Sequence, residues 1–148
     1  MRLSFGILIL LVTVGIASGG QILLNPDFES GVLTPWADGF SFGGNPWAIT
    51  STGCHSGSFC AENTGNVELK QTFDPIATTS ITGVSFWALH PDPGVSALAY
   101  VFFYQGGGND EFVVNTSGTG WSFFDVFAQL RSNDTLVGLS IYGNSAGI

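Results

Sequence analysis

From Val95 to Tyr104 the chain runs apolar on both alternating sets of residues. Leu98, Tyr100, Phe102 and Tyr104 fall on one side, and Val95, Ala97, Ala99, Val101 and Phe103 on the other. A strand that is apolar on both faces belongs inside a sheet, with neighbours along both edges and cover above and below. The rest of the sequence supplies such neighbours. Val67-Glu-Leu-Lys-Gln-Thr-Phe73 alternates up to a turn at Asp74-Pro75, and Thr82 to His90 sets Val84, Phe86 and Ala88 on one face before Asp92-Pro93-Gly94. Glu111 to Val114, Trp121 to Phe127, and Val137, Leu139 and Ile141 continue the pattern. Period-two alternation between turn signals, with almost no helical periodicity, predicts an all-β antiparallel sandwich or jelly roll. Asp38 to Pro46, rich in Gly and Phe, reads as a long connecting loop or the border of a cleft.

The N-terminus reads differently. Arg2, an apolar run from Phe5 to Ala17 and the small residues Ser18, Gly19 and Gly20 have the order of a signal peptide, too short to span a bilayer comfortably. The expectation is a leader over residues 1–20 and a single β-sandwich domain over 21–148, exported from the cell. About 130 residues suffice for one core. Beyond the leader only Lys70 and Arg131 are basic, against 11 acidic residues and a formal net charge of −8. Nucleic acid is therefore not an expected partner, since binding phosphate requires cations that release its counterions. No later segment reads as a membrane span.

Cys54 and Cys60 bracket His55-Ser-Gly-Ser-Phe59, and a close pair in an exported chain is expected to form a disulfide. So small a ring contributes only about 2 kcal/mol on the loop-entropy model, so it trims a loop without holding the fold together. Catalytic constellations are lacking. Gly143-Asn-Ser-Ala-Gly147 matches a nucleophile-elbow string, but that motif needs a strand-to-helix turn with its Asp and His partners downstream. His55 and His90 stand apart, and Glu62 and Glu68 are the only carboxylates close in sequence within strand-like segments, without a catalytic context. Asn115-Thr-Ser117 and Asn133-Asp-Thr135 are short glycosylation sequons that arise by chance in a chain of this composition. The chain is not expected to be an enzyme.

Leu24-Asn-Pro-Asp-Phe-Glu-Ser-Gly31 followed by Pro35-Trp36 resembles the opening of galactose-binding-like jelly-roll domains, especially carbohydrate-binding modules of the xylan- and glucan-binding type. The His55-Ser-Gly57 turn and Gly120-Trp121 ahead of Phe123 fit the same pattern. The resemblance implies that the opening motif forms a first strand and turn. It also implies a final strand carrying paired acidic residues beside that first strand. The chain ends at Gly143-Asn-Ser-Ala-Gly-Ile148, so the sandwich is expected to lack this last strand. A structural calcium is implied as well, with Glu29 as the matching ligand and Asp27 as a nearby oxygen source; a hydrogen-bonded surface role for Glu29 is the alternative.

Sugar-binding surfaces stack flat aromatic faces on pyranose rings beside polar side chains. Trp87 and Tyr142 alternate away from the apolar sets of their strands and are the expected platforms, with Tyr104 and Trp47 as further candidates; Trp36 and Trp121 read as core. The expected function is a secreted, non-catalytic module that binds polysaccharide or another glycan. The alternative is a structural or cell-surface matrix protein with no small ligand.

Overall fold

The computed structural model describes residues 7–16, 21–89, 97–116 and 120–143, with residues 7–16 and Ala97 described by backbone alone. Ten strands form two five-stranded antiparallel sheets. The first sheet runs in the order β3 (Ala48–Thr50), β4 (Cys60–Asn63), β1 (Ile7–Ile16), β6 (Ile81–Leu89), β9 (Ser122–Asp125). The second runs β2 (Ala37–Ser41), β5 (Val67–Ala77), β10 (Thr135–Gly143), β7 (Ala97–Tyr104), β8 (Asn109–Asn115). The chain is an all-β sandwich, and no helix among the described residues is long and apolar enough to cross a membrane.

Alternation decides which side chains meet between the sheets. β6 sends in Val84, Phe86 and Ala88, β7 sends Leu98, Tyr100, Phe102 and Tyr104, and β10 sends Leu136, Leu139 and Ile141, all buried in one cluster. Phe86 meets Tyr100 edge-on across the sandwich at 5.8 Å between ring centroids, and Phe112 of β8 stacks on Tyr100 at 5.4 Å. Burial pushes the Tyr100 hydroxyl up to about 12. Truncating Phe86 to Ala should cost about 3–5 kcal/mol, read as a drop in the denaturant midpoint at unchanged slope.

Three expectations need correction. The opening motif is not a strand: Asn25 and Phe28 take φ values of 48° and 61°, which fold residues 25–31 into turns, and Phe28 is fully buried. Those turns are tied to the second sheet by Gln71, whose side-chain amide donates to the Leu24 carbonyl at 2.9 Å and accepts from the Leu24 N–H at 2.8 Å. The Asp38 to Pro46 stretch is partly strand, with β2 at the edge of the second sheet. In β10 the register shifts between Leu136 and Gly138, a bulge that turns Val137 out of the inward set to which plain alternation assigned it. Gly138 has room for no side chain there, because a Cβ would lie 2.9 Å from the Gln71 carbonyl oxygen. Ile7–Ile16, within the segment expected as a leader, is β1, antiparallel to β4 and β6 and lying between them among the described residues. His90, Asp92-Pro93-Gly94, Ser117, residues 17–20 and the Gly143 to Gly147 string beyond Gly143 lie outside the described residues.

A charged clamp closes one end of the second sheet. Arg131 donates Nε–H to Asp110 Oδ2 at 2.7 Å and Nη2–H to Oδ1 at 2.6 Å, and its guanidinium lies 4.4 Å from the centre of the Tyr104 ring. The Arg131 N–H donates to the Tyr104 hydroxyl at 3.1 Å. The bidentate bonds hold the Asp110 carboxyl below its ordinary value. A depressed folded-state value adds stability that is present at neutral pH and is lost as pH falls through the carboxylate range. In Asp110→Asn, the melting temperature should be lower at pH 7 and should fall less steeply between about pH 4 and pH 2 than in the wild type.

Candidate functional site

The outward face of the second sheet carries a candidate site. Its floor comes from the sets that alternate away from the core: Ala99, Val101 and Phe103 of β7, and Ser140 and Tyr142 of β10. Ala99 and Ser140 have no exposed surface even though they point away from the interior. Larger side chains standing over them explain this. Lys70 of β5 lies with Nζ 3.6 Å above the Phe103 ring centre, a cation held on an aromatic face. Glu68 accepts the Ser140 hydroxyl through Oε1 and the Phe40 N–H through Oε2 at 3.0 Å. Phe42, from the Gly-rich segment after β2, covers Tyr142 at 5.9 Å between centroids. Burial and the neighbouring Glu111 carboxylate raise the Tyr142 hydroxyl well above its ordinary value.

At one end this floor opens into a cleft of about 520 Å³ lined by Lys70, Thr72, Phe103, Asn109 and Val137, with the Gly106–Gly108 turn as its rim. Gly106 and Gly107 take φ values of 89° and 93°, which L side chains rarely adopt, so the rim stays low. Exposed Phe40 and Phe42 flank the opposite end, meeting edge-on at 4.7 Å. The face therefore offers aromatic surface, one cation and two carboxylates within a single sheet.

The four expected platform residues are not brought together. Trp47 is in the core, 4% exposed, with its indole N–H donated to the Val67 carbonyl at 2.6 Å. Tyr104 is also core, 2% exposed, beneath the Arg131 clamp. Neither can serve as a ligand platform. Tyr142 does lie on the outward face of the second sheet, but at 8% exposure it is a floor residue beneath Phe42, not an open platform. Trp87 is on the first sheet and faces the other way. Trp36 is core, as expected, whereas Trp121 is half-buried against the disulfide. Lys70, Phe103, Glu111 and Phe42 escaped the sequence reading. Glu62 and Glu68 fall on different sheets and face no common cleft.

Cys54 and Cys60 are bonded, with Cα atoms 5.6 Å apart. Glu29 grips the loop they close. Its carboxylate accepts the Ser58 N–H through both oxygens at 2.9 Å and the Phe59 N–H at 2.8 Å, and these bonds hold it below its ordinary value. Asp27 Oδ1 accepts the Glu29 N–H at 3.2 Å. These residues do not fit the calcium ion implied by the resemblance, because the N–H groups facing the Glu29 oxygens present positive partial charge where a cation would sit. Among the described residues no group of three or more His, Cys, Asp or Glu could hold a metal ion. Gly57, at φ 73°, is required by the grip, because a side chain there would run into the carboxylate.

No family model matches the chain, and no curated protein matches it. Glu29→Gln, which keeps the shape but weakens acceptance of the backbone donors, should lower the melting temperature and speed hydrogen exchange at Ser58 and Phe59. Calcium or EDTA should leave the wild-type melting temperature unchanged.

Proposed function

We propose that the protein is a secreted, non-catalytic module that binds neutral polysaccharide on the outward face of its second sheet. The observation that carries this reading is the Lys70–Phe103 pair beside the open cleft, set in one face with Glu68 and Glu111. Exposed Phe40 and Phe42 offer aromatic surface for a pyranose, and the ammonium held on Phe103 and the carboxylates can donate to and accept from its hydroxyls. The net charge of −8 disfavours acidic polymers and leaves neutral glycans such as xylan, β-glucan, mannan or galactan.

The likeness of the opening motif to carbohydrate-binding modules supports the ligand class. The Cys54–Cys60 disulfide supports export, since such bonds persist in oxidising compartments.

Affinity electrophoresis through gels containing each of the four polysaccharides tests the proposal. One of them should retard the protein, and Phe103→Ala or Lys70→Ala should weaken that retardation at least tenfold, a loss of about 1.4 kcal/mol or more, with the fold intact by circular dichroism. A folded sample that no polymer retards would instead favour a structural role without a small ligand.

A further inference from the structure

A second aromatic surface lies on the opposite side of the molecule. On the first sheet, Trp87 of β6 and Phe123 of β9 are register partners, and their rings meet at 5.2 Å. Phe123 is 53% exposed at this edge of the sheet. His55 stacks on Trp87 at 4.0 Å and 25° between planes, and approaches Trp121 edge-on at 5.6 Å. Asp125 points from the same side of β9, with Oδ1 accepting the Phe127 N–H at 3.1 Å.

The loop that carries His55 is restrained at three places, although it is an exposed surface loop. The Cys54–Cys60 disulfide closes it. The Trp121 indole N–H donates to the Gly53 carbonyl at 3.3 Å on one side, and Glu29 grips Ser58 and Phe59 on the other. These restraints fix the imidazole plane over Trp87 before any ligand arrives. Holding an exposed ring in one orientation lowers the ordering cost of stacking something on it.

We infer that His55, Trp87 and Phe123 form a second glycan-binding platform, so that one molecule bridges two polysaccharide chains. The inference rests on the proposed function, because it assigns the same ligand class to a second face. The two outward faces of a sandwich point in opposite directions, with two sheets about 10 Å apart between them, so a single straight polymer segment cannot lie on both. Each platform would take a separate chain, and the protein would crosslink.

Light scattering from a solution of the polysaccharide that retards the protein, titrated with protein shown to be monomeric by sedimentation, tests this. Wild type should raise the scattering to a maximum and then lower it at excess protein, as both faces saturate separately. The double variant His55→Ala/Phe123→Ala should still be retarded in gels through the second sheet, yet raise no scattering. His55→Phe, which keeps a stacking ring, should retain it. Retardation of wild type without any rise in scattering, or a rise undiminished in the double variant, would overturn the second platform and leave the first standing. Retardation by no polymer would overturn both.

Discussion

β10 runs through the middle of the second sheet, hydrogen-bonded to β5 along one edge and β7 along the other, and nearly every residue from Leu136 to Gly143 is buried. Its inward residues Leu136, Leu139 and Ile141 pack against β6 across the sandwich, while Ser140 and Tyr142 form part of the outward floor. One strand therefore sets both the core and the surface on which the proposed function rests. The bulge at Val137 couples the two. It lets Leu136 and Leu139 both reach the core, and it places Val137 in the cleft beside Lys70 and Phe103. Without the extra residue, one of those two leucines would have to face outward.

The first sheet depends on its own central strand in the same way. Among the described residues β3 and β4 reach β6 and β9 through β1, so the disulfide loop at the start of β4 is positioned relative to Trp87 by two sets of antiparallel hydrogen bonds and by contacts across the sheet's outer face. Trp121 and Glu29 supply those contacts, one to each flank of the loop. The small ring of the disulfide is consistent with this division of labour. It orders a loop that other interactions dock.

Much of the architecture was readable from alternation. β5, β6, β7, β8 and the later half of β10 fall where period-two runs ended at turn residues, and the face assignments for β6 and β7 agree with the buried sets. The misreadings have physical causes. An uninterrupted apolar run carries no period-two signal, which is why no strand was expected over Ile7–Ile16. A bulge leaves no trace in a hydropathy pattern beyond one misplaced residue, here Val137. Tyr104 and Trp47 looked like platforms because an aromatic residue with a polar tip fits either a surface or a core that satisfies that tip, and here Arg131 and the Val67 carbonyl do so. Lys70 and Phe103 are brought together by the pairing of β5 and β7 across β10, a contact between residues 33 positions apart that no local motif announces.

The central claim is that the outward face of the second sheet is a ligand surface and not merely a polar exterior. Amide chemical shifts of the isotopically labelled protein, followed during titration with short oligosaccharides of the four neutral polysaccharides, test it most directly. The account predicts dose-dependent shifts for one of them at Lys70, Phe103, Asn109 and the Gly106–Gly108 turn. Saturable shifts confined to residues elsewhere, with that face silent, would contradict it.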